Sequence, residues 1–258
     1  MPKRALTVPP PRPEVVALLQ TCKESPDDDT PRLVLADWLE DHGDTARAEF
    51  IRVQCELGKL PGADAQRPSL ERREQRLLKQ HENDWLGPLR GLAGTRTRTM
   101  LDPTTWLFRR GLLWVRLQAR KAFLGRGMLA AVRCGAWDWV ETLHLMGVTD
   151  RIAARLAQSA LLQQLSFLDL RANGIGDAGI AALASSPNLR NLLRLDLRDN
   201  EIRGFGAAAL LNSPYLEKLI YLNLDQNWGI GATEKTALQG RFGHRVCLPE
   251  TIDMTIPF

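Results

Sequence analysis

Leu165-Ser-Phe-Leu168-Asp-Leu170-Arg-Ala-Asn173 returns 27 residues later as Leu192-Leu-Arg-Leu195-Asp-Leu197-Arg-Asp-Asn200, and again as Leu219-Ile-Tyr-Leu222-Asn-Leu224-Asp-Gln-Asn227. Self-similarity at a fixed period of this size specifies a repeat architecture. Each unit is one supersecondary element that buries its apolar face only against a copy of itself. The LxxLxL core reads as a short strand. Small-residue-rich helices precede the first copy, around Ile152 to Leu156, and follow the first two, around Ile180 to Leu183 and Ala207 to Leu211, with Leu156, Leu183 and Leu210 in register.

The pattern extends backwards in degraded form. Leu112, Val115 and Leu117, then Val140, Leu143 and Leu145, occupy the same positions, giving strand offsets of 28, 25, 27 and 27 residues. The short offset has a visible cause. Met146-Gly-Val-Thr-Asp150 stands where the next unit has Arg171-Ala-Asn-Gly-Ile-Gly-Asp177, so two residues are missing and the asparagine is one of them. The repeat-turn asparagines Asn173, Asn200 and Asn227 satisfy backbone groups in their turns, and the first two units are expected to bend differently.

LxxLxLxxN at this spacing resembles a leucine-rich repeat of the ribonuclease-inhibitor type. The resemblance implies an α/β, right-handed solenoid of about five short parallel strands with outer helices, acting by binding and not by catalysis. Alternate strand residues face opposite ways, so the residues between the leucines line the concave side. Three columns follow: Trp114, Thr142, Phe167, Arg194, Tyr221; then Arg116, His144, Asp169, Asp196, Asn223; then Gln118, Met146, Arg171, Arg198, Asp225. Aromatics and arginines dominate protein interfaces, so the expected partner is a protein. GTPase-activating proteins of the Ran type use similar repeats, which makes a GTPase regulator an alternative by fold analogy alone.

The N-terminal part is helical. Val15, Val16, Leu18, Leu19 and Cys22 mark one helix; a second opens at Asp29 or Thr30 as N-cap with Pro31 in its first turn and ends at Gly43; a third carries Phe50, Val53, Leu57 and Leu60. The run Asp28-Asp-Thr-Pro31-Arg-Leu-Val-Leu35-Ala-Asp-Trp38-Leu-Glu40, with Glu49-Phe-Ile-Arg-Val53, closely resembles the repeat-companion domain that precedes leucine-rich repeats in a bacterial family. That resemblance implies an all-helical domain capping the solenoid and carries no activity with it. The expected organisation is a lead-in over 1–12, the helical domain over 13–60, a linker, charged helix and basic junction over 61–110, repeats over 111–230, and a C-terminal cap over 231–258.

Residues 90–133 hold ten Lys and Arg against one acid, Asp102, a net of +9, with Trp106, Phe108, Trp114 and Phe123 interleaved. Cations with aromatics suit a nucleic acid, where charges meet phosphates and rings stack on bases. Arg96, Arg98, Arg109, Arg110, Arg120 and Lys121 are the candidates for polyanion binding. Against this, part of the window belongs to the buried repeat sheet, and Arg109-Arg110-Gly111 resembles the segment that enters the repeats in relatives.

Composition sets the remaining bounds. The 258 residues, 44% hydrophobic with a net charge of +4, describe a globular chain with a real core and no overall polyanion preference. Cys22, Cys55, Cys134 and Cys247 are scattered and read as buried thiols, with no metal spacing. Prolines break the basic N-terminus where a secretory signal needs an apolar run, and no stretch is long enough to span a membrane. A cytoplasmic protein is expected, with no cofactor, no membrane and no small-molecule substrate. Gly174-Ile-Gly176-Asp-Ala-Gly179 has the form of a dinucleotide fingerprint, but repeat phase accounts for every residue in it. The acids around Asp27 to Asp44 read as helix caps and a solvated helix face. The four histidines are isolated, and His144 is expected to be a neutral surface imidazole on the concave side.

Overall fold

The computed structural model describes residues 12–93, 95–96, 105–120 and 132–249. The chain divides into two compact units, residues 1–143 and 144–258. The division falls well after the expected start of the repeats, inside strand β4 (Val140–Met146).

The first unit begins with helices α1 (Pro13–Glu24), α2 (Thr30–Asp41), α3 (Thr45–Lys59), α4 (Arg67–Leu86) and α5 (Leu89–Ala93). Pro13, Pro31 and Pro68 each lie in a helix's first turn, where a missing N–H costs nothing. Asp29 is the N-cap of α2, as expected, but its side chain makes no cap bond. Asp28, not Asp29 or Thr30, accepts the Thr30 N–H at 2.9 Å, and that bond holds the Asp28 carboxyl below its usual range. Asp29 instead meets Lys59 Nζ at 3.4 Å and Arg110 Nε at 3.5 Å. On the outer face Arg52 bridges Asp37 and Glu40 at 2.7 and 2.6 Å.

Strands β1 (Thr95–Arg96), β2 (Thr105–Arg109) and β3 (Leu112–Gln118) follow. β2 and β3 are antiparallel, with Trp106 opposite Val115 and Arg109 opposite Leu112. β2 is an antiparallel strand that the expectation of about five parallel strands did not include. Leu112, Val115 and Leu117 do occupy a buried strand, but that strand is one arm of a hairpin. The turn explains the Arg109-Arg110-Gly111 motif: Arg110 and Gly111 have φ of 49° and 85°, the two left-handed positions of a type I′ turn whose twist matches its strands. A Cβ on Gly111 would lie 2.5 Å from Ile51 Cγ1. Gln54 fastens this turn to α3, accepting from Gly111 N at 2.7 Å and donating to the Phe108 carbonyl at 3.1 Å. Phe50, Trp85, Phe108 and Trp106 form a chain of tilted and edge-to-face rings beneath it, with centroids 4.8 to 5.9 Å apart.

Two of the buried cations in this unit join its elements. Arg32, 1% exposed, gives Nη1 to the Ser25 and Asp28 carbonyls and Nη2 to Glu141 Oε1 at 2.9 Å, tying the α1–α2 loop to β4. Lys23 donates to the Asp138 carbonyl, and burial pulls its ammonium pKa down to about 8.

The second unit is the repeat stack. Strands β5 (Phe167–Asp169), β6 (Arg194–Asp196), β7 (Tyr221–Asn223) and β8 (Val246–Cys247) pair in parallel in that order, backed by α6 (Asp150–Ala157), α7 (Asp177–Ala184), α8 (Gly204–Asn212) and α9 (Ala232–Phe242). Leu168, Leu195 and Leu222 are paired in register, and with Leu156, Leu183 and Leu210 they are fully buried between sheet and helices. Arg241 and Arg245 donate to the carbonyls of Leu210 and Leu219 at 3.0 and 2.8 Å. β8 pairs in parallel with β7 as the last strand of the sheet. It puts Cys247 on the exposed sheet edge, while Cys134 is half-buried, so only Cys22 and Cys55 are the buried thiols expected of all four.

Candidate interaction face of the repeats

The turn after each strand decides which sheet residues are available. Ala172, Asp199 and Gln226 sit at φ of 53°, 55° and 58°, a left-handed conformation that disfavours side chains. The asparagine that follows makes the conformation worthwhile. Asn200 Nδ2 donates to the carbonyls of Leu197, Arg198 and Leu170, and its Oδ1 accepts the Ile175 N–H at 3.1 Å. Asn173 does the same for Leu145 and Val148, and Asn227 for Leu197 and Ile202. Each asparagine thus serves its own turn and the preceding repeat. This resolves the missing asparagine before Val148: the left-handed residue is retained as Gly147 at φ 71°, and Asn173 supplies the bonds from the next unit.

A second ladder runs along the helix starts. Asp150 Oδ1 accepts from Gly176 N and Gly179 N at 2.7 and 3.0 Å, and Asp177 Oδ1 from Arg203 N and Gly206 N at 2.8 and 2.9 Å. A Cβ at Gly179 would stand 2.5 Å from that Asp150 oxygen. The glycines of the apparent dinucleotide fingerprint therefore make room for a carboxylate of the preceding repeat. That carboxylate already occupies the helix N-terminus a pyrophosphate would need.

On the sheet face the register matches the expected columns: Phe167, Arg194 and Tyr221 are paired neighbours, as are Asp169, Asp196, Asn223 and Cys247. The two columns behave differently. Asp169 and Asp196 each accept the N–H two residues on, at 3.2 Å, and Asn223 accepts from Asp225 N at 2.9 Å. Their outer atoms are covered by neighbours: Arg171 Nε lies 3.3 Å from Asp169 Oδ2, Arg198 Nε 3.2 Å from Asp196 Oδ2, and Asn223 donates to Tyr221 Oη at 2.8 Å. All three are buried. Burial pushes the Asp169 carboxyl up to about 6 and raises Asp196 as well, against the pull of the arginines. It also raises the Tyr221 phenol.

His144 departs furthest from expectation. It is 2% exposed, with Nδ1 3.2 Å from Asp169 Oδ2, so it is an internal partner of the acid column and not a surface imidazole. Trp114 is also buried in its own unit, and Arg116 there is half-buried. What the face presents is half-buried Phe167, Arg171, Arg194 and Tyr221, with Arg198 and Asp225 beside them.

Two residues absent from the sequence-based site stand out. Phe205 is 84% exposed and Trp228 62%, on either side of the Arg203–Gly229 bridge at the strand-to-helix edge. Repeat phase holds the signal that finds them. Phe205 takes the place of Ala178, and Trp228 that of Gly174 and Glu201, so each is a large ring where its register-mates are small or polar.

Of the polyanion candidates, Arg110 is committed to the α1–α2 loop, donating to the Asp27 carbonyl at 3.2 Å beside Asp29. Arg109 and Arg120 are exposed. Arg96 is placed by its backbone in β1, while Arg98 and Lys121 lie outside the described residues. Among the described residues no group of three or more His, Cys, Asp or Glu is arranged to hold a metal ion, and no helix is long and apolar enough to cross a membrane.

A family model for the leucine-rich repeat matches residues 163–184 and 188–211, the stretches that contain β5 with α7 and β6 with most of α8. No curated protein matches the chain. The second unit carries leucine-rich repeats, a module commonly used as a protein-interaction scaffold.

Proposed function

We propose that this protein is a non-enzymatic, cytoplasmic binding scaffold that recognises a protein partner through the sheet face of its leucine-rich repeats. The 27-residue period with a full helix in each repeat supports a right-handed solenoid of the ribonuclease-inhibitor type, with that sheet on its concave side. One observation carries the reading. The acid column is consumed by turns and internal pairs, whereas the adjacent column keeps Phe167, Arg194 and Tyr221 half-exposed on a rigid, in-register row. Rings held on a fixed backbone lose little entropy on binding, and rings and arginines are the residue types that anchor interfaces. Trp228 and Phe205 are exposed as well, in the turn after β7 and in the first turn of α8.

The test replaces Phe167, Arg198 and Tyr221 together with alanine and places a photo-crosslinking residue either at Phe167 or at Arg155 on the outer helix α6. Specific adducts with a host protein are expected from Phe167 alone, and the triple variant is expected to lose that protein in pull-downs while remaining folded by circular dichroism. Equal capture by the triple variant, or adducts only from Arg155, would overturn the reading.

A further inference from the structure

The first unit contains a cavity of about 200 Å³ whose apolar walls include Val15, Leu39, Trp85 and Trp139, with Asp44, Arg47 and Asp84 as its charged members. Arg47 is the unusual one. It is 8% exposed, yet its Nε and Nη2 are buried without a hydrogen-bond acceptor. Its guanidinium carbon lies 3.3 Å from the Trp139 ring centroid and 5.6 Å from that of Trp85. An aromatic face attracts the charge but satisfies no in-plane N–H, because the donors point along the guanidinium plane and away from the ring.

Arg32 in the same unit shows how this fold treats a buried arginine it needs for structure: two carbonyls and the Glu141 carboxylate receive it. Arg47 has no such set. Burial drags its pKa down to about 9, with the Asp44 charge opposing. Asp44 is itself occupied at the start of α3, where its Oδ1 accepts the Arg47 backbone N–H at 3.1 Å. A methionine would fill the same space without the cost of burying a charge. A guanidinium retained at that cost, with its fork unfilled beside an open apolar cavity, is a preorganised receptor for an anion.

The shape of the complement follows from the walls. Two indoles and two aliphatic side chains favour a ligand with a compact apolar body. Asp44 and Asp84 disfavour a multiply charged anion such as phosphate, whereas a single planar carboxylate matches the guanidinium fork. We propose that this cavity binds a small organic monocarboxylate, its carboxylate held by Arg47 and its apolar body packed against Trp85 and Trp139. A ligand that also carries an ammonium group, as an apolar amino acid does, would set that group near Asp44 and Asp84.

The test titrates the intact protein with phenylacetate, phenylalanine, phenethylamine and inorganic phosphate, following the indole resonances of Trp85 and Trp139. Shifts that saturate with phenylacetate, phenylalanine or both, and not with phenethylamine or phosphate, are expected; a preference for phenylalanine would show that the rim acids are engaged. Arg47→Met is expected to weaken that binding at least about tenfold while matching or exceeding the wild-type melting temperature. Arg47→Lys keeps the charge but not the fork, and is expected to fall between the two. Absence of saturable shifts with either carboxylate in the wild-type protein would overturn the proposal whether or not the variants fold. Undiminished binding by Arg47→Met, or equal binding of phenethylamine, would also overturn it.

Discussion

The two units solve the same problem, the burial of backbone and side-chain polar groups, in opposite ways. In the repeats one solution is written once and copied. Asn173, Asn200 and Asn227 make the same bonds to their own turn and the one before, and Asp150 and Asp177 each accept two N–H groups at the start of the next helix. In the first unit every solution is singular: Arg32 joins a loop to Glu141, Gln54 clasps a hairpin turn, and Arg110 reaches the loop before α2. The comparison teaches that copied polar networks distribute a loss over neighbours, whereas singular ones concentrate it. It also isolates Arg47, which belongs to neither kind of network.

The largest effect is expected where a singular contact is cut. Arg32→Ala leaves the Glu141 carboxylate buried without its cation and should cost about 3–5 kcal/mol. Replacing the pair by Met and Leu should recover most of that loss in urea unfolding, because the penalty arises from keeping an ionised carboxylate in a buried site after its cation is removed. Full destabilisation in the double variant would break the distinction drawn between the units.

A rung of the ladder comes next. Asn200→Ala strips partners from Ile175 N and from three carbonyls in two adjacent repeats, and about 2–4 kcal/mol should be lost. Hydrogen exchange should then rise in both flanking turns, around Ile175 and around Asp199. Exchange confined to the Asp199 turn would show that the asparagines act locally and that the ladder is not cooperative.

The smallest expected effect is the most specific. The folded-state pKa of Asp169 is raised from 3.8 to about 6, so the ionised form is penalised in the native state and the wild-type protein gains stability as pH falls through 6 towards 4. In Asp169→Asn that gain disappears. β7 already uses the amide in this role at Asn223, so the variant should fold and be more stable than wild type above about pH 7, by an amount on the order of 1 kcal/mol after the Arg171 contact is lost. Below pH 5 the advantage should vanish. Parallel pH profiles for the two proteins would show that His144 and Arg171 fully compensate the buried charge.

Legibility in the sequence follows the same division. The repeat strands, their register, the helices behind them and the turn asparagines are all readable, since a motif written three times averages out the noise of any single copy. The hairpin was not. Leu112, Val115 and Leu117 fit the repeat period, and an apolar strand pattern is silent on whether its neighbour runs parallel or antiparallel. Arg110-Gly111 was the available clue, as a pair of left-handed positions between apolar strands. The burial of His144 and of the acid column was equally hidden. Strand alternation places a side chain on a face, but exposure there depends on what Arg171, Arg198 and Tyr221 do with their length.

Periodicity alone therefore determined that this protein contains stacked leucine-rich strands and helices, which side chains share a column, and where the turns fall, because these depend only on local spacing. Tertiary structure decided which of those columns stay half-exposed, where the chain divides, that the glycines of 174–179 receive a carboxylate, and that Arg47, of the two buried arginines among the described residues, leaves both Nε and Nη2 without an acceptor. Those outcomes depend on contacts between residues far apart in sequence, whose desolvation and pairing no local pattern encodes.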